Sequence, residues 1–381
     1  MQKDFYARLV SGLAGLGANL QRYNSTLMAP PGLVKNGAEQ AYRVFTPFCR
    51  ALLASDAFQP ASLSAPGDTR WPAPKVWPHS RSLADLGLDA GPTPSGADWT
   101  AGFVRFTPGE RGARKALRHF LAHGLPDYAR DRDRPDKDLT SHLSAHLRFG
   151  EISPQRILGE LERTVADAPG LAGQAAKFRS ELMWREFCYG LLAQQPRLHE
   201  VNFREGFADF PWRQDDKGFR AWRRGETGYG LVDAGMRELW RTGYMHNRVR
   251  MVCASFLVKH LLIDWRRGEQ WFWDCLLDAD PANNPANWQW VAGCGADAAP
   301  FFRIFNPTLQ AKKFDPSGYY RARYIDGYTG ESTGAIHRNK SHYLFDNIDK
   351  YEHNLNYPQP IVDHVFARRR ALAAYAMRVQ P

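Results

Sequence analysis

The sequence predicts a mainly α-helical protein from residue 107 onward. Three observations carry this expectation. Apolar residues recur at helical spacing through most of the second half. Helix-start residues precede those runs. Strand-like alternation is scarce. In chain order, 5–21 reads as a helix and 38–53 carries a short apolar run around Val44. Residues 57–107 are rich in Pro, Gly, Ser and Asp, which predicts a long surface linker. Thr107-Pro108-Gly109-Glu110 reads as a capping box with proline at the first helical position, opening a helix to about residue 123. Further helices are expected over 140–147, 153–166, 174–194, 219–224, 231–243, 247–263 and 270–277, and a last one over 361–377. Residues 278–290 read as a loop.

A chain of 381 residues can bury a large core, and two domains are the default expectation. With 44% hydrophobic and 24% charged residues, the composition is globular. The longest apolar run spans about eight residues near Met251, well short of the ~18 a membrane span needs. No signal-peptide pattern opens the chain. Cys49, Cys188, Cys253, Cys275 and Cys294 show no CxxC spacing and are odd in number, so they read as reduced thiols. The net charge is +10, and 38 of the 50 basic residues are arginine. Arginine pairs well with phosphate, and a basic surface favours a polyanion. Charge alone reads equally well as an ordinary soluble surface.

Four segments could carry chemistry. On a helix, Glu181, Trp184, Arg185 and Cys188 share one face at i, i+3, i+4 and i+7. Asn247, Arg250 and Met251 share another, after Gly243 ends the preceding helix. An amide, a guanidinium and a thioether suit a flat conjugated ligand. Either face alone also fits an amphipathic helix with a surface ion pair or a core methionine. The stretch from Asp278 to Trp290 packs two acids, three asparagines and two indoles into thirteen residues, as site-lining loops do. Thr140, Ser141 and Ser144 fall at a helix start, where free N–H groups suit phosphate, or where the hydroxyls simply cap. His119/His123 and His142/His146 have i, i+4 spacing without the Glu of HExxH, so no metal is expected.

Taken together, these segments resemble the photolyase/cryptochrome family, most closely the class I cyclobutane pyrimidine dimer photolyases. The matching stretches are Tyr42 to Phe48, Thr140 to Ser144, Gly150 to Pro154, Glu181 to Phe187, Gly228 to Asp233, Gly243 to Arg248, Asp278 to Trp290 and Gly295 to Pro307. The resemblance implies an all-helical FAD-binding and DNA-binding domain over 108–381. Ahead of it the resemblance implies a remnant of an α/β antenna domain over 1–56 and a linker over 57–107. The folate-antenna contacts of relatives are not matched clearly, and His199-Glu200 stands where some carry Cys-Lys.

Residue by residue, the resemblance implies that Tyr128, Thr140, Ser141, His142, Leu143 and Ser144 hold the phosphate end of FAD. Arg250 and Asp278 would pair beside its ring system, with Ala279 and Asp280 at its polar edge. Asn247 would face the flavin N5. Trp184 and Trp290 would sandwich the dimer, with Glu181 hydrogen-bonding its pyrimidine edge and Met251 packing nearby. Arg132, Arg185, Cys188, Asn247, Arg248 and Gln310 would complete the DNA surface. Trp212, Trp265 and Trp288 would form an electron relay. The implied activity is light-driven repair of ultraviolet-damaged DNA by electron transfer from reduced FAD, in a monomeric, cytoplasmic, nucleoid-associated bacterial protein. A cryptochrome-like photoreceptor and an inactive flavin-binding remnant are the alternatives.

Overall fold

The computed structural model describes residues 2–17, 20, 25–55, 76, 79–82, 84–87, 102–103, 106–325, 357 and 359–377. Most of the expected linker lies outside them. The described residues are mainly helical, and the strand-like pairing among them is an isolated antiparallel bridge between Lys35 and Ala41. Helices α1 (Gln2–Gly15) and α2 (Phe45–Leu53) come first. Then follow α3 (Gly109–His119), α4 (Tyr128–Asp131), α5 (Ser144–Phe149), α6 (Pro154–Asp167) and the 23-residue α7 (Ala172–Gln194). The second half contains α8 (Asp216–Arg224), α9 (Gly230–Thr242), α10 (Asn247–Ser255) and α11 (Trp265–Cys275). It closes with α12 (Asn283–Ala292), α13 (Pro307–Phe314), α14 (Tyr319–Tyr324) and α15 (His364–Ala376).

Local chemistry explains most boundaries. Ser153 accepts from Arg156 N ahead of Pro154, and Asn306 accepts from Thr308 N and Leu309 N ahead of Pro307. Asp215, Asp264 and Asp363 cap α8, α11 and α15. Gly243, at φ 65°, ends α9 in the left-handed conformation.

Four expectations need correction. The Thr107 capping box does not form. Pro108 is the N-cap, no side chain caps α3, and the chain enters through Gly109 at φ 86°, which breaks the register such a box needs. Residues 140–143 precede α5 instead of starting it, because His142 takes φ 52°. The helix expected over 247–263 is α10 followed by a wider π-type turn (Phe256–His260), and Leu262 at φ 55° then reverses the chain. The second half of the expected 278–290 loop is helix α12. Its polar residues are start signals: Asp280 Oδ1 accepts from Ala282 N and Asn283 N, and Pro285 falls in the first turn.

Helix α7 separates two packed regions. Its Phe178 and Leu182 face Phe120, Tyr128 and Ile157, and its Met183, Phe187 and Leu191 face Phe48 and Leu52 of α2. A third and larger core joins α9 to α12 with α14 and α15 around Trp222, Trp265 and Trp288. Buried carboxylates tie that core together. Asp233 accepts from Thr227 N and Oγ1 and from Gly228 N, and Glu238 accepts from the Tyr320 hydroxyl at 2.6 Å. Among the described residues no helix is long and apolar enough to cross a membrane.

The α11–α12 contact depends on one missing side chain. A Cβ on Gly268 would meet the Trp288 ring at 2.2 Å and Leu257 at 2.5 Å. Gly268→Ala should therefore overpack the interface and cost about 1–3 kcal/mol of stability. Urea denaturation measures this, and an unchanged midpoint would show that the interface gives way freely.

Candidate functional site

Loop 140–143, α10 and the turn before α12 converge. Thr140 Oγ1 lies 3.5 Å from His142 Nε2 and 3.5 Å from the Tyr244 hydroxyl. The His142 and Tyr244 rings are 5.1 Å apart, and the Arg250 guanidinium lies 5.4 Å from the Tyr244 ring centre. Arg250 then pairs bidentately with Asp278 at 3.0 and 2.8 Å. This fork is well suited to a partly buried site because both carboxylate oxygens are satisfied. Arg250 Nε donates to Met245 O at 2.6 Å, which fixes the guanidinium plane. Tyr128 is buried against Phe120 and Phe178, and burial raises its phenol pKa. The residues expected at the two ends of one cofactor thus form a continuous chain of contacts, although 138 positions separate Thr140 from Asp278. Two buried nitrogens in this region, His142 Nδ1 and Arg185 Nη2, have no protein partner. Orphaned polar atoms of that kind suit a polar ligand.

Asp280 is tied on both oxygens. Besides the two backbone N–H groups, Oδ1 accepts from Asn283 Nδ2 at 2.9 Å, and Oδ2 accepts from the Tyr189 hydroxyl at 2.6 Å. Arg148 Nε donates to Ala279 O, which holds the same turn from α5. Sequence reading missed Tyr189 and Arg148. Tyr189 sits 91 positions from Asp280, and no local pattern marks either residue. It also missed the buried pair Asn284–Glu269, where Asn284 Nδ2 donates to Glu269 Oε1 at 2.8 Å and burial raises the carboxyl to about 7.

Next to this turn lies a cleft lined by Trp184, Trp290, Asn287, Ala296 and Asp297, so the two expected stacking indoles share one opening. Glu181 lies one helical turn before Trp184 on α7. Arg132 holds it through both guanidinium Nη atoms, and Lys177 adds a contact at 3.2 Å. Arg248 pairs with Asp133 at 2.6 Å and rests 4.6 Å from the Phe314 ring centre. Asn247 is exposed at the first position of α10, where His246 is the N-cap. Met251 and Gln310 are half-buried.

Two residues expected on the DNA surface are largely buried, Arg185 beneath the 26–29 segment and Cys188 in the wall of the cleft. Arg185 is 8% exposed, donates to Thr26 O at 2.7 Å and packs 5.0 Å from the Tyr189 ring centre. Cys188 is 4% exposed but lines the cleft with Trp184 and Trp290, and burial pushes its thiol to about 12. The helical wheel placed both on the Glu181 face, but the segment at 26–29 crosses that part of α7. Glu186 accepts from Met28 N at 3.0 Å and Ala29 N at 3.4 Å, and Gln155 donates to Leu27 O.

The three relay candidates lie along one interface but do not stack on each other. Trp288 is 2% exposed and packs edge-on to Phe272 at 4.9 Å. It presses on Gly268, one helical turn from the fully buried Trp265. Trp265 Nε1 donates to Asn202 Oδ1 at 2.8 Å. Arg213 N donates to Leu262 O at 2.7 Å, which brings the half-buried Trp212 beside the turn leading into Trp265. Exposure therefore increases from Trp288 and Trp265 to Trp212.

Residues 178–377 match the family model described as the FAD binding domain of DNA photolyase. The deoxyribodipyrimidine photo-lyase of Agrobacterium fabrum is 48% identical over 371 residues, spanning 94% of this chain and 74% of the relative. The enzyme of that name from Escherichia coli is 38% identical over 357 residues, spanning 93% and 71%. Among solved structures, a bacterial class III photolyase from Agrobacterium tumefaciens superposes with a TM-score of 0.85 at 46% identity, over 98% of this chain and 76% of that one. A Synechocystis cryptochrome gives a TM-score of 0.75 at 28% identity, over 97% and 76%. The class I likeness of the motifs thus stands beside a class III structure.

The clip over α7 has a pH signature. Burial raises the Glu186 carboxyl to about 7, against the opposing pull of Arg185 and the two N–H donors. A carboxyl whose folded pKa exceeds its unfolded value favours the fold below that unfolded value, here 4.5. The contribution is lost as pH rises through about 7. Glu186→Gln keeps an acceptor but cannot ionise. The stability difference, wild type minus variant, should fall as pH rises from 5 to 8 in thermal unfolding. A difference that stays constant with pH would show that Glu186 does not titrate in this window.

Proposed function

The chain belongs to the DNA photolyase family, and from that premise we propose how its residues divide the work of repairing cyclobutane pyrimidine dimers under light. It binds FAD and acts as a deoxyribodipyrimidine photo-lyase on ultraviolet-damaged DNA. The residues present fit the cofactor. The Arg250–Asp278 fork supplies a fixed polar edge, and the orphaned His142 Nδ1 lies in the segment expected at the phosphates. When bound, FAD supplies the photoexcited electron that opens the cyclobutane ring.

In this reading Tyr128 and residues 140–144 hold the phosphate end. Arg250 and Asp278 hold the ring system, and Asp280 orients the chain at its polar edge. Photolyases as a class extrude their target nucleotide from the duplex. The observation that carries the lesion site is the cleft shared by Trp184 and Trp290. Two indoles around one opening suit a pair of linked pyrimidines, since every base offers a π-face. Glu181, oriented by Arg132, accepts from the pyrimidine edge and steadies charge that develops there. Arg132 stays on Glu181 and offers its remaining guanidinium N–H to the sugar–phosphate backbone, and Arg248 reaches the backbone by exchanging Asp133 for phosphate, with Met251 and Gln310 at the rim. Asn247 is exposed, whereas Asn284 is buried beside the Asp280 turn. We therefore assign the cofactor-facing amide to Asn284 and leave Asn247 on the DNA side. These roles favour repair over light sensing, because a sensor needs neither the paired indoles nor the Glu181 carboxylate. The same reading includes a monomer in the bacterial cytoplasm, and the division at 56 and 107.

Two experiments test these assignments. Glu181→Gln should lower the yield of repair of a dimer-containing oligonucleotide under blue light severalfold, with flavin absorbance unchanged. Equal yields would make Glu181 a surface acid only. Trp265→Phe replaces an oxidisable indole by a ring that is much harder to oxidise, while keeping most of its packing. After a flash on oxidised enzyme, the wild type should show a tryptophanyl radical in transient absorption, and Trp265→Phe should lack it. Chemically pre-reduced Trp265→Phe should still repair. A radical of unchanged yield in the variant would exclude Trp265 from the path.

A further inference from the structure

The indole of Trp184 is not a free side chain on a helix. Phe45, the first residue of α2, stacks on it with ring centres 3.7 Å apart and planes 6° from parallel. Phe187 lies edge-on to both, 5.8 Å from Trp184 and 6.0 Å from Phe45. Phe48 extends the block, 5.4 Å from Phe187. Phe45 is itself held, because its N–H donates to Asp297 Oδ2 at 2.9 Å and Asp297 lines the cleft. Phe45 does not line that cleft. It takes one face of the indole, and the cleft meets the surface that remains. The hydrogen bond from Gln194 Nε2 to Tyr42 O and the clip at 26–29 hold the same N-terminal segment to α7.

We propose that Phe45 is a positioning residue for lesion recognition, fixing the plane of Trp184 so that the indole meets an extruded pyrimidine dimer as a rigid wall opposite Trp290. The proposal rests on the reading of Trp184 as a base-stacking residue. Its physical basis is preorganisation. An indole on a helix surface loses rotational freedom when a base stacks on it, and that loss opposes binding. Phe45 and Phe187 impose the same restriction during folding. The near-parallel Phe45 ring covers one face of the indole, and the edge-on Phe187 ring meets it from the side. Undamaged duplex presents no extruded bases to the cleft, so the brace acts on damaged DNA alone.

The test uses the flavin-loaded protein and two oligonucleotides, one with a single thymine dimer and one undamaged. Phe45→Leu keeps apolar bulk without a ring, and Phe45→Trp keeps a ring. Phe45→Leu should bind dimer DNA roughly three- to tenfold more weakly, with affinity for undamaged DNA and flavin content unchanged. In repair assays the loss should fall on KM and not on kcat. Phe45→Trp should restore most of the affinity. Trp184→Ala is the companion measurement. If Trp184→Ala weakens dimer binding and Phe45→Leu does not, the brace is refuted while the stacking site stands. If Trp184→Ala has no effect, the site itself has been misread. Equal losses on both DNAs in Phe45→Leu would also overturn the proposal, since they would mark general damage to the fold.

Discussion

The site depends on how one carboxylate is used. Asp280 ends a turn and starts α12, and its two oxygens serve different neighbours. Oδ1 closes the first turn of the helix, and Oδ2 takes the Tyr189 hydroxyl from α7. A buried carboxylate is tolerable only when its lone pairs are filled, and here they are. The result sets α12 in angle and register against α7. Everything functional on α12 then follows by helical geometry. Asn284 lies in the first turn, Trp288 faces α11 and Trp290 faces the cleft. Gln289, fully buried between them, accepts from Phe203 N and donates to Leu198 O and Val201 O. One ten-residue helix therefore joins the proposed cofactor end, the proposed relay and the proposed lesion cleft.

Two arginines expected at the DNA surface are compensated before any ligand arrives. Arg132 faces Glu181, and Arg248 faces Asp133. A bare guanidinium in a half-buried position would be costly, and a carboxylate partner removes that cost. In the proposed DNA complex Asp133 would yield to phosphate, so the net gain at Arg248 would be smaller than for a free arginine. In the proposed site, such an exchange at Arg248 would sharpen discrimination, because only a backbone that approaches in the right register displaces Asp133.

The N-terminal segment belongs to this machinery physically. Residues 26–29 and 42–52 pack on α7 through Glu186, Arg185, Phe48 and Leu52. They bury the part of the Glu181 face that a helical wheel leaves open. A wheel reports which residues share a direction but not what lies in that direction.

Much of the protein was legible in the sequence. Helical periodicity, capping residues and the scarcity of alternation specified an all-helical body, since those signals are local. The motif set pointed to the family, and the spacing of Glu181 and Trp184 placed both on one face of α7. Three features were not legible. Thr107 and the 140–143 segment carry good helix-start residues, but left-handed conformations at Gly109 and His142 shifted the starts. The asparagine-rich 278–290 stretch reads as a loop because the same residues favour turns and helix caps. Only the position of Asp280 relative to Tyr189 decides between them. The exposure of Arg185 and Cys188, the Phe45 brace and the alignment of Trp212, Trp265 and Trp288 depend on contacts between residues far apart in the chain. Sequence periodicity determines which way a side chain points along its own helix. Only tertiary packing decides what it meets, because that depends on segments whose distance in the chain says nothing about their distance in space.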